Sequence, residues 1–214
     1  MSKRIILLDF DGPINDVSKR YFEVHQFACQ SVGYNSTLDC DTFWEMKRRK
    51  MPISELLPGL TDLDLAVYRT TWMKHIETQA CLKHDKIFSF ASNVLCTLKI
   101  EFDLWLVSLR GNSQGAQSQL KLYGITDFFD QILFVQHDKD GGMAKAEAVL
   151  ANLKHQQNLH CFVGDTEVDI SAAAYLGTTS YSVLSGIRTR TVLEKFIDTI
   201  IVKDLADFEN VINQ

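Results

Sequence analysis

The chain has 214 residues, 46% hydrophobic and 23% charged, with a formal net charge of −5. That balance is ordinary for a globular protein and excludes a disordered chain, which would carry fewer apolar residues and a larger charge imbalance. A mildly acidic chain is also a poor partner for nucleic acid through its overall field, and none is expected.

In chain order, Ile5-Ile6-Leu7-Leu8 is a short apolar run that stops at Asp9. Runs of this kind fit a strand buried on both faces of a parallel sheet. Residues 17–85 read differently. Helical spacing covers 17–32, 42–50, 53–57 and 63–76, broken at Gly33, Pro52, Pro58 and Gly59, with no strand-like run between. From about residue 100 strands and helices alternate. Apolar runs at 104–107, 132–135 and 161–163, with weaker ones at 181–184 and 199–202, are separated by helical spacing at 114–122, 143–153 and 169–176, and a last amphipathic stretch at 204–212. The pattern predicts an α/β fold: a Rossmann-like, doubly wound parallel sheet formed by residues 1–16 and 86–214, with an α-helical insert at 17–85.

Five cysteines, none in a CxxC pair, argue against a zinc site and for reduced thiols. The N-terminal apolar run is too short for a signal peptide, and no stretch reaches the length of a membrane span. A cytoplasmic protein with no membrane partner is expected.

Ligands of open α/β sheets bind beyond the carboxyl ends of the strands. Asp9 and Asp11 follow the first run, Ser108 ends the second, and Asp165 and Asp169 follow the later 161–163 run. Four carboxylates converging on one edge repel each other without a cation, and hard oxygen ligands of this type suit Mg2+.

These residues carry a resemblance. Asp9-Phe10-Asp11-Gly12, with Asp16 beyond, resembles the first motif of the haloacid dehalogenase superfamily, and Gly164-Asp165-Thr166-Glu167-Val168-Asp169 resembles its fourth. Ser108 is similar to the second motif and Lys145 to the third, and the helical insert sits where that family carries helical cap domains. The resemblance spans essentially the whole chain and is nearest to phosphoglycolate phosphatase-like members.

It implies a Mg2+-dependent phosphomonoester hydrolase acting on a small phosphorylated metabolite. Asp9 is then the nucleophile that forms an aspartyl-phosphate, and Asp11 the acid and base. Asp165, Asp9 and the Asp11 carbonyl hold the metal, with Asp169 behind them or joined through water. Ser108 and Lys145 neutralise the phosphoryl group. Gly12, the Leu109 amide and Arg110 are candidate substrate contacts. An intramolecular phosphotransferase resembling β-phosphoglucomutase is the alternative, and an inactive binding protein a more distant one. Asp11 argues against a dehalogenase, which lacks the second Asp.

The chain departs from the family pattern in places. Pro13 replaces a usual Thr or Val, and the second motif reads Ser108-Leu109-Arg110-Gly111-Asn112. The third lacks a Lys-Pro pair, so Lys139 competes with Lys145, which is favoured by its place at a helix start. In the insert, Lys47-Arg48-Arg49-Lys50 reads either as a solvated helix face or as charge supplied toward an anionic substrate. Phe43, Trp44 and Trp72 read as the insert's own core in preference to a stacking platform for a substrate, and the six histidines show no ligand spacing.

Overall fold

The computed structural model describes residues 3–136, 140–154 and 158–212. The chain begins with β1 (Arg4–Leu8) and the two-residue β2 (Asn15–Asp16). Five helices follow: α1 (Ser18–Ser31), α2 (Cys40–Arg48), α3 (Ile53–Leu56), α4 (Asp62–His75) and α5 (Gln79–Leu82). The chain returns through β3 (Lys86–Ile87) and α6 (Ala91–Glu101). Strands and helices then alternate as β4 (Phe102–Leu109), α7 (Ser113–Tyr123), β5 (Gln131–Val135), α8 (Gly141–Asn152), β6 (Asn158–Gly164), α9 (Glu167–Leu176), β7 (Thr179–Val183), α10 (Arg190–Leu193), β8 (Thr199–Val202) and α11 (Leu205–Ile212).

The main sheet has six strands in the order β5-β4-β1-β6-β7-β8, and every pairing in it is parallel. From β1 the chain winds outward first through β4 and β5, then on the other side through β6, β7 and β8. The order therefore reverses at β1, where doubly wound sheets bind ligands.

β1 shows why this sheet is buried on both faces. Side chains alternate along a strand. Ile6 and Leu8 pack with α6, α7 and α11 residues such as Leu95, Leu120 and Phe208. Ile5 and Leu7 pack on the opposite face with Val149 of α8 and Ala172 and Ala173 of α9. The insert has its own apolar cluster, built on Ala28, Cys29, Leu56, Leu57 and Tyr68. Its entry and exit lie side by side, because Asn15 pairs with Ile87 and Asp16 with Lys86 in a short antiparallel ladder.

Several elements differ from the sequence expectation. β4 runs on through Ser108 and Leu109, because these two residues pair with Phe134 and Val135 of β5. α8 starts earlier, at Gly141, because the Asp140 carboxylate accepts from the Met143 amide at 3.0 Å and caps it. α6 was not expected. It has the right apolar spacing but starts without a side-chain cap. β2 and β3 are too short to leave a pattern. Among the described residues no helix is long and apolar enough to cross a membrane.

Candidate active site

Three adjacent strands deliver the central residues. Leu8 of β1 is level with Leu106 of β4 and Val163 of β6, and the Asp9 amide donates to the Val163 carbonyl at 2.9 Å. Asp9, Ser108 and Asp165 thus meet at the carboxyl edge of the sheet, all buried. The loop turns back sharply after Asp9. Ile14 and Asn15 both donate to the Phe10 carbonyl, so Pro13 costs this turn no hydrogen bond. Gly12 has φ +96° and could take no side chain in any case, since a Cβ there would stand 2.3 Å from Asp165 Cγ.

Asp9 is held from two sides. Its Oδ1 accepts from the Phe10 amide at 2.8 Å, and its Oδ2 lies 3.1 Å from Lys145 Nζ. Burial pushes its carboxyl up to about 6, against the pull of Lys145. Lys145 is itself buried, and despite that burial Asp169 and Asp9 hold its ammonium above the ordinary lysine range. Both oxygens of Asp169 are engaged. Oδ1 accepts from Lys145 at 2.6 Å, and Oδ2 from the Thr166 amide, the Thr166 hydroxyl and the Asp165 amide at 3.0, 2.8 and 3.2 Å. Asp169 therefore seats Lys145 and fastens the start of α9.

Asp11 does something the sequence did not suggest. Its side chain accepts from Arg20 of α1 at 2.6 Å, from Arg110 at 2.7 Å and from Asn15 at 3.1 Å. Burial alone would raise its pKa. Arg110 and Arg20 outweigh that and hold the carboxyl well below the usual range. Arg20 also reaches Asp85 at 3.2 Å, just before β3. Arg110 is thus not a solvated arginine, although it does line the cavity. It is almost wholly buried, and its charge is matched by Asp11. Gly12 differs from its expected role as a substrate contact: its amide donates to the Asn15 carbonyl, and it does not line the cavity. Lys139, the competitor of Lys145, lies outside the described residues.

A cavity of about 660 Å3 opens above these groups, within the range typical of small-molecule sites. Its floor includes Asp9, Asp11, Ser108, Leu109, Lys145 and Asp165, and the insert contributes Tyr21, Lys47, Trp72, Met73 and Ile76. The insert is seated on the core by Arg48, which donates to the Leu184 and Arg188 carbonyls, and by Lys50, 2.7 Å from Glu167. Trp72 packs against the apolar cluster of the insert, as expected, and its ring also stands edge-on to Tyr21 and lines the cavity. Phe43 is fully buried, as expected.

Asp9, Asp165 and Asp169 each offer an oxygen within 4.8 Å of the others. Three buried carboxylates face one ammonium, and this all-oxygen donor set fits a hard divalent cation. The space behind Asp165 is filled by its own carboxylate: a Cβ at Gly186 would stand 2.0 Å from Asp165 Oδ2. The Ile187 amide donates to that same oxygen at 2.6 Å and fixes its direction. Asp9 and Asp165 fit best as ligands, because Asp169 is the most heavily engaged of the three: its Oδ2 already accepts three hydrogen bonds and its Oδ1 holds Lys145 at 2.6 Å. The Asp11 side chain, turned to its arginines, is not part of this acidic group.

Residues 6–183 match the family of haloacid dehalogenase-like hydrolases. The chain belongs to that family. Solved structures with the same fold include a predicted phosphatase from Clostridium acetobutylicum, with 17% identity, a TM-score of 0.72 and coverage of 100% of this chain and 99% of that one. A hydrolase of the haloacid dehalogenase-like family from Streptococcus pneumoniae shares 20% identity over 98% of each chain, with a TM-score of 0.70. A HAD-hydrolase from Bacillus subtilis, bound to magnesium, shares 16% identity over 100% of each chain, with a TM-score of 0.67. At these identities the likeness is one of fold. No curated protein matches the chain.

The sequence did not single out Arg20 or Asp85. Arg20 carried one signal: it shares a helix stripe with Val24 and Ala28, four and eight residues on, and that stripe is buried.

Proposed function

We propose that the protein is a Mg2+-dependent phosphomonoesterase, working through an aspartyl-phosphate on a small phosphorylated metabolite in a reducing, cytoplasmic setting. The observation that carries this reading is the pairing at Asp9. One oxygen is fixed by a backbone amide and the other by a buried ammonium, on the floor of a cavity sized for a small molecule. Five free thiols support the setting, and residues 17–85 are read as a cap domain over the site.

Asp9 attacks phosphorus with a carboxylate oxygen, forming an O–P bond as the ester oxygen departs. Lys145 and the Ser108 hydroxyl neutralise and orient the phosphoryl oxygens. Asp9 and Asp165 would hold Mg2+, which supplies charge neutralisation at the transferring group. Asp11, kept ionised by Arg20 and Arg110, suits the second half of the cycle, where it accepts a proton from the water that attacks the intermediate. Asp11 then returns that proton to solvent, and the ester oxygen that departs in the first half takes its proton from solvent water.

The test is phosphate release from a panel of monoesters, with Mg2+ and with chelator. Asp9→Asn should abolish release while leaving the fold intact, since an amide is a far weaker nucleophile, and Asp165→Ala should lower activity by orders of magnitude. Wild-type turnover by pure Asp9→Asn protein refutes the reading. Phosphate returned to a sugar instead of water would identify a phosphotransferase.

A further inference from the structure

Of the four consecutive cations on α2 and just beyond it, three are committed. Arg48 donates to the carbonyls of Leu184 and Arg188, Arg49 pairs with Glu45 at 2.9 Å, and Lys50 pairs with Glu167 at 2.7 Å. Lys47 differs. Its ammonium lies 4.7 Å from the centroid of the Trp72 ring and 5.9 Å from that of Tyr21, at the cavity wall.

The other charged groups of that wall have partners. Arg20 and Arg110 are matched by Asp11, Arg188 by Glu167, and Lys145 by Asp9 and Asp169. Glu77 accepts from the Asn112 amide, and Asp165 from the Ile187 amide. Among the described residues, Lys47 alone of the cavity's charges has neither a carboxylate nor a hydrogen-bond partner. An ammonium has three donors and no acceptor, and aromatic faces offer it charge attraction but no lone pair. Its charged neighbour is another cation: burial, and then Arg188, push the Lys47 ammonium down to about 8. An uncompensated, part-desolvated cation facing a cavity is stabilised by an anion that the cavity admits.

We propose that Lys47, backed by the Tyr21 and Trp72 rings, is a subsite for a second anionic group of the substrate, a carboxylate or a second phosphate. The phosphoryl group sits on Asp9, Ser108 and Lys145, and the distal anion reaches the insert. This rests on the phosphomonoesterase reading for its substrate but not for its binding test. Of the basic cluster, Lys47 thus does the selecting, while its three neighbours hold the insert and its helix in place.

The test compares three ester series of two to four carbons: alkyl phosphates, the same chains ending in a carboxylate, and the same chains ending in a second phosphate. Wild-type kcat/KM should favour at least one charged series over the alkyl series by tenfold or more at its best length, mainly through KM. The favoured series identifies the anion. Lys47→Met should bring that ratio close to one, and Lys47→Arg should keep most of it. A wild-type ratio near one at every length overturns the proposal, and so does a Lys47→Met ratio equal to wild type. The matching phosphonates, titrated by calorimetry with Mg2+ present, give a readout that needs no turnover. If no ester is cleaved but charged phosphonates bind tenfold tighter than alkyl ones in a Lys47-dependent way, the hydrolase reading fails and the subsite stands. If esters are cleaved and all phosphonates bind alike, the subsite fails and the hydrolase stands.

Discussion

Arg20 donates to Asp11 at 2.6 Å and lies 3.2 Å from Asp85, so one buried guanidinium joins the loop after β1 to the segment that brings the insert back to the core. Two carboxylates and two guanidiniums, Arg20 and Arg110, make a charge-balanced group under the two crossings between insert and core. Removing one member leaves an uncompensated buried charge, which is more costly than the pair is stabilising. Arg20→Met should therefore lower the unfolding free energy by about 3–5 kcal/mol, read by urea denaturation at neutral pH. A loss below about 1 kcal/mol would show that water or rearrangement replaces the pair.

Lys145 stands between Asp9 and Asp169, at 3.1 and 2.6 Å. Lys145→Met keeps the aliphatic volume and removes the one cation of the group. Turnover should fall by about 10²–10³-fold, the usual loss for one preorganised charge-stabilising group. Melting temperature should fall too, because two buried carboxylates then face each other. Unchanged turnover would remove Lys145 from the phosphate-handling residues.

Gly186 has an ordinary backbone conformation, outside the positive-φ positions, yet a Cβ there would stand 2.0 Å from Asp165 Oδ2. Gly186→Ala must push that carboxylate aside without straining its own backbone. The Mg2+ concentration for half-maximal activity should rise about tenfold or more, as when a metal ligand loses its support. Recovery at high Mg2+ would separate lost affinity from misfolding. An unshifted Mg2+ titration would mean that Asp165 does not hold the ion.

His25 makes stability of the insert depend on pH. Its ring is buried against Phe43, with Tyr68 and Ser36 hydroxyls on its two nitrogens, and Cys29 beside it. Burial first, then Lys47, lowers its pKa to about 4. The unfolded chain binds this proton near pH 6.5, so between about 6.5 and 4 it takes up a proton that the folded form refuses. Stability from His25 is complete above that window, falls as the pH drops through it, and changes no further below. At pH 5 the loss should be about 2 kcal/mol. His25→Gln should flatten this part of the profile in urea melts at pH 7.5 and pH 5.0; parallel profiles would clear His25 of the effect.

Much of this site could be read from the sequence because its chemistry is local. Asp9, Asp165 and Asp169 each follow a buried strand, and Ser108 lies at the end of one, so the sheet alone brings them together. Arg20 and Asp85 were hidden because their meaning lies in pairing across 65 residues of insert, which no short spacing encodes. Arg110 was legible as a residue but not as a role. Its position after β4 pointed at the substrate, whereas the loop carrying Asp11 folds back to meet it. The basic cluster on α2 looked uniform in sequence, and only the partners its members find, the loop at 184–189 for Arg48, Glu45 for Arg49 and Glu167 for Lys50, distinguish Lys47 from its neighbours. α6 went unseen because Phe90, the residue before its first turn at Ala91, supplies no capping side chain.

Asp169 seats Lys145 with one oxygen and secures the first turn of α9 with the other. Fraying of that helix end therefore withdraws the partner of the Lys145 ammonium, so local order at Thr166 and the seating of Lys145 are coupled. Slow hydrogen exchange at the Thr166 amide marks a molecule in working order. Position 164 in turn admits no side chain, since even a single Cβ there would come within 2.2 Å of the Asp169 carboxyl carbon. Asparagine at position 169 would keep the shape but lose the negative charge that pairs with Lys145.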